Sequence, residues 1–327
     1  MANTFEYAEI LETALDQVAT EEMLTGWMDK NAGKVKYNGG AEVKIPQIST
    51  QGLGDYKRGS AGGYAGGDIT FKYKTYEMKQ DRGRKFSLDA MDVDETNFVA
   101  TAGTVMGEFQ RTHVVPEVDA YRLAKLADVA MKVDPTNDSN AKYSYTISKD
   151  TIINEIKKGI KVIRENGYNQ QLMIHLTYDA MLAIEEKALD KLSTVSFKTN
   201  GIETQVPAID GCPLIRTPQN RLYSGLKFND GTTGEQEKGG YEKGTGEIEC
   251  HFIIVPVDVP IAVTKQDKMR IFDPNTNQQA NAWAMDYRRY HDLWVLDNKT
   301  NSVYACFKGT KPTRVTSNER KKYLKRN

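Results

Sequence analysis

Residues 51–85 set the strongest limit on what this chain can fold into. Seven glycines, at positions 52, 54, 59, 62, 63, 66 and 67, surround Lys57 and Arg58. They lead into Ile69-Thr70-Phe71-Lys72-Tyr73-Lys74-Thr75-Tyr76-Glu77-Met78-Lys79, where β-formers alternate with charged residues. A period of two makes a strand with two unlike faces, and the glycines make the tip of a long hairpin. Such a ribbon has too few large aliphatic side chains to build a core, and an isolated hairpin is marginal in water. It needs a surface to lie on, either its own domain or a neighbouring chain.

The segments on either side show helical and strand periods. Residues 5–30 read as an amphipathic helical region, with Ile10, Leu11, Ala14, Leu15 and Val18 continued by Met23, Leu24, Trp27 and Met28. Val43–Ile48 reads as a strand that Pro46 pushes to an edge. Asp89, Asp92, Asp94 and Glu95 precede a helical stripe of Phe98, Ala102, Val105 and Phe109. Pro116 lacks a donor and crowds the carbonyl of Thr112, so the spacing predicts a kink or restart near Val114–Pro116. Ala120, Leu123, Ala127 and Ala130 resume the stripe. Ser148 and Thr151 open a second helix with Ile152, Ile156, Ile160 and Ile163 on one face, closed by Gly167. Leu172–Leu176 reads as a buried strand, and Thr177 as the cap of a helix from Asp179 to about Leu192. Residues 225–247, rich in glycine and poor in aliphatics, form a surface insertion. Strands follow to Ala305, ending in Tyr290–Leu296 and Ser302–Phe307 joined as a hairpin through 297–301. The class is α+β.

The chemistry-bearing residues do not converge. His113, His175, His251 and His291 are scattered, and His175 reads as a satisfied core histidine. Cys250 and His251 are adjacent on a strand, which aims them at opposite faces. Gly239 to Gly244 has the glycine spacing of a phosphate loop but continues Thr245-Gly246, with no lysine. Asp273 opens a calcium-loop-like run that fails at Gln278 and Ala284. No catalytic, cofactor-binding or metal residue is assigned, and the chain reads as non-enzymatic. Lys+Arg and Asp+Glu both total 44, which selects neither nucleic acid nor membrane. Cys212, Cys250 and Cys306 make an odd count without ligand spacing, no stretch resembles a signal peptide, and no apolar run approaches the roughly 20 residues of a membrane span. A reducing cytoplasm is the implied setting. The charge balance hides a basic tail: residues 308–327 hold eight basic residues and one acidic. It reads as a solvated tail, or more sharply as a contact with DNA through Arg320, Lys321, Lys322, Lys325 and Arg326.

The order of these elements resembles the Hong Kong 97-type capsid fold of tailed-bacteriophage major capsid proteins. His113-Val114-Val115-Pro116-Glu117-Val118-Asp119-Ala120-Tyr121-Arg122 is similar to the end of that family's spine helix. Leu172–Asp179 resembles the strand–helix junction of its axial domain, and Ile209–Ile215 the strand that follows. Asp286–Lys299 resembles the last strands of its peripheral domain. The resemblance implies an N-terminal arm (1–50), an E-loop hairpin (51–88), a peripheral domain with a kinked spine helix (89–145), an axial domain (146–260), peripheral return strands (261–307) and a basic tail (308–327). It implies self-assembly into hexamers and pentamers of an icosahedral virion shell around double-stranded DNA, built in the host bacterial cytoplasm. Portal and scaffolding proteins are the implied partners, with no membrane and no cofactor. The E-loop would lie across an adjacent subunit through Lys57, Arg58, Tyr64, Tyr73, Tyr76, Arg82 and Arg84, and the arm would bury Leu24 and Trp27 there.

Two other readings compete. An encapsulin-type nanocompartment shell shares the fold, though the basic tail leans toward a DNA-filled shell. An unrelated cytoplasmic α+β enzyme or binding protein predicts a stable monomer or small oligomer with a ligand pocket.

Overall fold

The central element is a seven-stranded sheet whose middle strands are buried on both sides. The fold is that of a computed structural model, which describes residues 23–34, 36–37, 42–58, 63–89, 91, 102–133, 139–188, 192–199, 202–277 and 280–312. The expected arm stripe from Ile10 to Val18, the helical position Phe98 and the tail from 313 onward lie outside these residues.

The large sheet takes the order β5 (Ala141–Lys142), β15 (Tyr304–Phe307), β12 (Cys250–Pro256), β6 (Leu172–Leu176), β9 (Cys212–Arg216), β8 (Ile202–Ile209), β7 (Ser193–Thr199). Every residue of β6 and β12 is buried, as the unbroken apolar run of β6 predicts. Ile174, Leu176, Phe252 and Ile254 face the helices α3 (Ile152–Glu165) and α4 (Tyr178–Ala188). Their neighbours Met173, Ile253 and Val255 face the other way, onto the long helix α2 (Val115–Lys132) and onto Trp27 and Met28.

α3 follows its isoleucine spacing: Ile152, Ile156, Ile160 and Ile163 are buried together. The Ile152 amide donates to the Ser148 carbonyl, and Gly167 closes the helix at φ +87°. Thr177 caps α4, its hydroxyl accepting from the Ala180 amide at 3.3 Å.

The long helix solves its proline problem by widening. α1 (Ala102–Phe109) passes into a π-helical turn at Gln110–Val114 and then into α2, with Pro116 in its first turn. The wider register relieves the ring against the preceding turn, and the Thr112 hydroxyl donates to the Glu108 carbonyl at 2.6 Å. This is the interruption that the sequence places near Val114–Pro116.

A second sheet, in the order β13 (Ile261–Phe272), β14 (Ala282–Trp294), β4 (Gln80–Asp89), packs on this junction through Met269, Met285 and Tyr287. A third joins β1 (Lys36–Tyr37), β2 (Glu42–Thr50) and β3 (Ile69–Glu77), and a short pair, β10 (Leu226–Phe228) and β11 (Tyr241–Lys243), forms the insertion.

Three expectations change. The hairpin legs are β2 and β3, paired over nine residues, so the hairpin begins at Glu42 and its returning strand ends at Glu77. Residues 80–88, expected in the hairpin, belong instead to β4, which pairs with β14 from the far end of the chain. Strands 290–296 and 302–307 are not a hairpin: β14 pairs with β13 and β4, while β15 pairs with β12 and β5. The 3-10 turn Asp297–Ser302 carries the chain from one sheet to the other. Pro46 lies beyond the two residues of β2 that β1 pairs, Val43 and Lys44, and opposes Tyr73 of β3.

Candidate assembly surface

The hairpin has its apolar side chains on different faces at its two ends. In antiparallel pairing, opposed residues point to the same side. Val43 opposes Tyr76 and Ile45 opposes Lys74, so this face meets the body at the base, where Val43 and Ile45 are buried with Ile261, Val263 and Trp294. The same face turns polar further out, with Lys72, Ser49 and Thr70. On the opposite face Pro46 opposes Tyr73, Ile48 opposes Phe71, and Thr50 opposes Ile69. Ile48 is 63% exposed, Ile69 76%, Phe71 52% and Tyr73 51%. The Phe71 and Tyr73 rings meet edge to face at 5.1 Å, so this strip is ordered without being covered. A soluble chain rarely leaves such a strip bare unless a partner covers it.

The tip extends the exposed apolar surface. The Lys57 amide donates to the Gly63 carbonyl at 2.9 Å, and Tyr56 and Tyr64 meet edge to face at 4.9 Å. A side chain at Gly63 would fall within 2.6 Å of the Lys57 carbonyl, so only glycine permits this closure. Leu53 and Tyr64 stand fully out, and Lys57 and Arg58 are exposed beside them.

The residues singled out from the sequence therefore divide. Lys57, Arg58, Tyr64 and Tyr73 lie on the exposed ribbon. Tyr76 does not: its ring is half-buried 5.7 Å from Trp294, in the chain's own core, because it shares the face of Val43. Arg82 and Arg84 are also spent within the chain, since β4 belongs to the second sheet. Arg82 pairs with both oxygens of Glu117 (2.6 and 3.2 Å) and donates to the carbonyls of Asn229 and Gly240. Arg84 donates twice to the Glu237 carbonyl, so these two arginines pin the insertion. Trp27 is 1% exposed in the main core and Leu24 packs against the same cluster, which makes both intramolecular. The five tail residues 320–322, 325 and 326 lie outside the described part. Ile48, Ile69 and Phe71 were not picked out from sequence; the signal was the cross-strand register, hidden once residues 43–48 were assigned to the arm.

Beside these apolar contacts, residues 23–34 make polar ones with the body. The Trp27 indole N–H donates to His175 Nε2 at 3.3 Å, which leaves the proton on Nδ1, 3.3 Å from the Thr217 hydroxyl. Burial lowers the His175 pKa to about 3, so the ring is neutral and structural. Asp119, fully buried in α2, accepts from the Leu24 and Thr25 amides, the Thr25 hydroxyl and Arg221. Burial pushes its carboxyl up, opposed by these donors. Arg122 grips Asp29 with two N–H groups at 3.1 and 2.6 Å and donates to the Thr25 carbonyl.

Among the described residues, no three His, Cys, Asp or Glu side chains converge as a metal site. Cys250 donates toward the carbonyls of Phe252 and Cys306, whereas His251 donates Nε2–H to the Tyr145 carbonyl at 3.0 Å. Asp273 accepts from the amides of Asn275 and Thr276 and so caps its own turn. Among the described residues no helix is long and apolar enough to cross a membrane.

No protein-family model and no curated protein matches this sequence. Solved structures do. The capsid of cyanophage P-SCSP1u is 10% identical, with a TM-score of 0.57 over 82% of this chain and 83% of that one. The mature capsid of bacteriophage PhiM1 is 10% identical, with a TM-score of 0.56 over 84% of each chain. A virus-like particle from Pyrococcus furiosus is 11% identical, with a TM-score of 0.50 over 92% of this chain and 99% of that one. Identities this low speak to architecture, and in architecture this α+β chain has the Hong Kong 97-type capsid fold.

Proposed function

We propose that this chain is a major capsid protein, a virion component whose copies associate into the hexamers and pentamers of an icosahedral shell around double-stranded DNA. The observation that carries the reading is the sidedness of the hairpin. Its base is bound to its own body through Val43 and Ile45, while Ile48, Ile69, Phe71 and Tyr73 face away from that body. With one face bound to its own body and the other bare, the outer strip is the part of the ribbon left for a second copy to cover. Covering a large apolar side chain contributes about 1.5–3 kcal/mol. Exposed ion pairs at the tip add roughly 0–1 kcal/mol each, so the apolar strip supplies the drive and the charges set the register.

The remaining partners follow from the same reading. The basic tail neutralises phosphates without regard to sequence, a scaffolding protein guides closure, and a portal occupies one vertex. Assembly takes place in the host cytoplasm. Electron microscopy and sedimentation of the purified full chain test the reading. Closed shells, tubes or capsomers are expected. A species that stays at 36.7 kDa at every concentration reached, with or without an added scaffold, overturns it.

A further inference from the structure

The hairpin tip brings two phenols together in water. Tyr56 is 57% and Tyr64 84% exposed, and their ring centroids lie 4.9 Å apart with the planes at 64°. The Lys57 amide, donating to the Gly63 carbonyl, closes the backbone beside them. Glycine at 63 makes the room: a Cβ there would fall 2.8 Å from Cε2 and 2.9 Å from Cζ of Tyr56. Gly54 does the same below the clasp, where an added Cβ would stand 2.7 Å from Cβ of Ala65. Two glycines therefore hold the legs close enough for the rings to touch. Rings this exposed bury little area, so what their contact chiefly supplies is proximity. The three cysteines, Cys212, Cys250 and Cys306, are buried, which keeps the readily oxidised thiols away from oxidants in solution.

We propose that Tyr56 and Tyr64 form a site of oxidative coupling, at which a peroxide acting through a haem peroxidase joins the two rings as a dityrosine. Each phenol gives up one electron and one proton. The two phenoxyl radicals form a carbon–carbon bond between ring positions ortho to their oxygens, after turning about their Cβ–Cγ bonds. The hydrogens on those two carbons then move to the oxygens, which restores both phenols. The two electrons and two protons lost go to the peroxide, whose O–O bond breaks to give two waters. The product closes residues 56–64 into a covalent ring and adds a permanent clasp to the Lys57–Gly63 hydrogen bond. The site belongs to the single chain and does not depend on the assembly reading above. Groups joined by so short a segment meet at an effective concentration on the order of millimolar, so in micromolar solution coupling within one copy outruns coupling between copies.

The test treats the full chain at micromolar concentration with hydrogen peroxide and a haem peroxidase, using an equal mixture of isotopically heavy and ordinary copies. Trypsin cuts after Lys57 and Arg58 and so separates the two tyrosines onto different peptides. Mass spectrometry is expected to find the peptide ending at Lys57 joined to the one beginning at Gly59, lighter by two hydrogens and with both halves from one isotope. Tyr56→Phe and Tyr64→Phe are each expected to lower dityrosine fluorescence about tenfold or more, because the favoured intrachain partner is gone. Tyr178→Phe, which removes a phenol 58% exposed on α4, is expected to leave it unchanged. Heavy–light products at these two positions, coupling of either ring to another tyrosine, or no coupling at all overturns the site. So does an equal loss of fluorescence in Tyr178→Phe.

Discussion

Ile48 and Phe71 oppose each other across the hairpin, and both face away from the body that holds the base of the same hairpin. Phe71→Asp places a charge in this strip without touching the chain's own core. Association is expected to be lost, while the unfolding free energy of the monomer changes by no more than about 0.5 kcal/mol. Sedimentation velocity and urea titration of the same sample separate the two effects. Loss of monomer stability together with assembly would mean that the strip is covered within the chain.

Asp119→Ala should be among the most damaging single changes outside the sheets. It leaves Arg221 without its carboxylate and strands the amides of Leu24 and Thr25 in the interior. Removing one side of a buried ion pair costs about 3–5 kcal/mol. Urea unfolding measures this, and Asp119→Asn, which keeps an acceptor oxygen, is expected to recover part of the loss.

Stability should fall in mild acid. Burial lowers the pKa of His175 from 6.5 to about 3, and burial also lowers those of His251 and His291. Below about pH 6.5 the unfolded chain binds these protons and the folded chain resists them, so stability is whole above that pH and declines below it. For His175 the decline continues to about pH 3, with a slope approaching about 1.4 kcal/mol per pH unit. Urea midpoints measured from about pH 8 to about pH 5 read it out, and His175→Phe should flatten part of the slope.

Gly159→Ala tests which of two effects wins in α3. Helix propensity favours alanine by about 1 kcal/mol. The new methyl would lie 2.7 Å from both Ile254 Cδ1 and Tyr304 Cδ1, and the Tyr304 hydroxyl is tied to Glu155 at 2.9 Å. Overpacking costs about 1–3 kcal/mol, so net destabilisation is expected. A rise in the thermal midpoint would show that the ring gives way.

Features governed by local spacing were legible in the sequence. The isoleucines of α3, the unbroken run of β6 and the interruption beside Pro116 all stand where their periods put them. Partner choice was not legible, because a period of two reports that a strand has faces and says nothing about what each face meets. Arg82 and Arg84 were misassigned for that reason: β4 finds β14 some two hundred residues away. Trp27 reads as part of an amphipathic stripe, but only the tertiary fold reveals His175 as the acceptor for its indole. The exposed strip needed both legs of the hairpin in register before Ile48 and Phe71 became neighbours.

The two-sided hairpin also fixes how a row of copies ends. On the proposed assembly the strip of one copy seats on a different patch of the next, and unless a pair exchanges ribbons reciprocally such a series curves back on itself or runs on. A copy with its ribbon trimmed off can still be joined by one neighbour and has nothing to offer the next. Small amounts of such a copy, mixed with the intact chain, would act as terminators, shortening the product far out of proportion to their share.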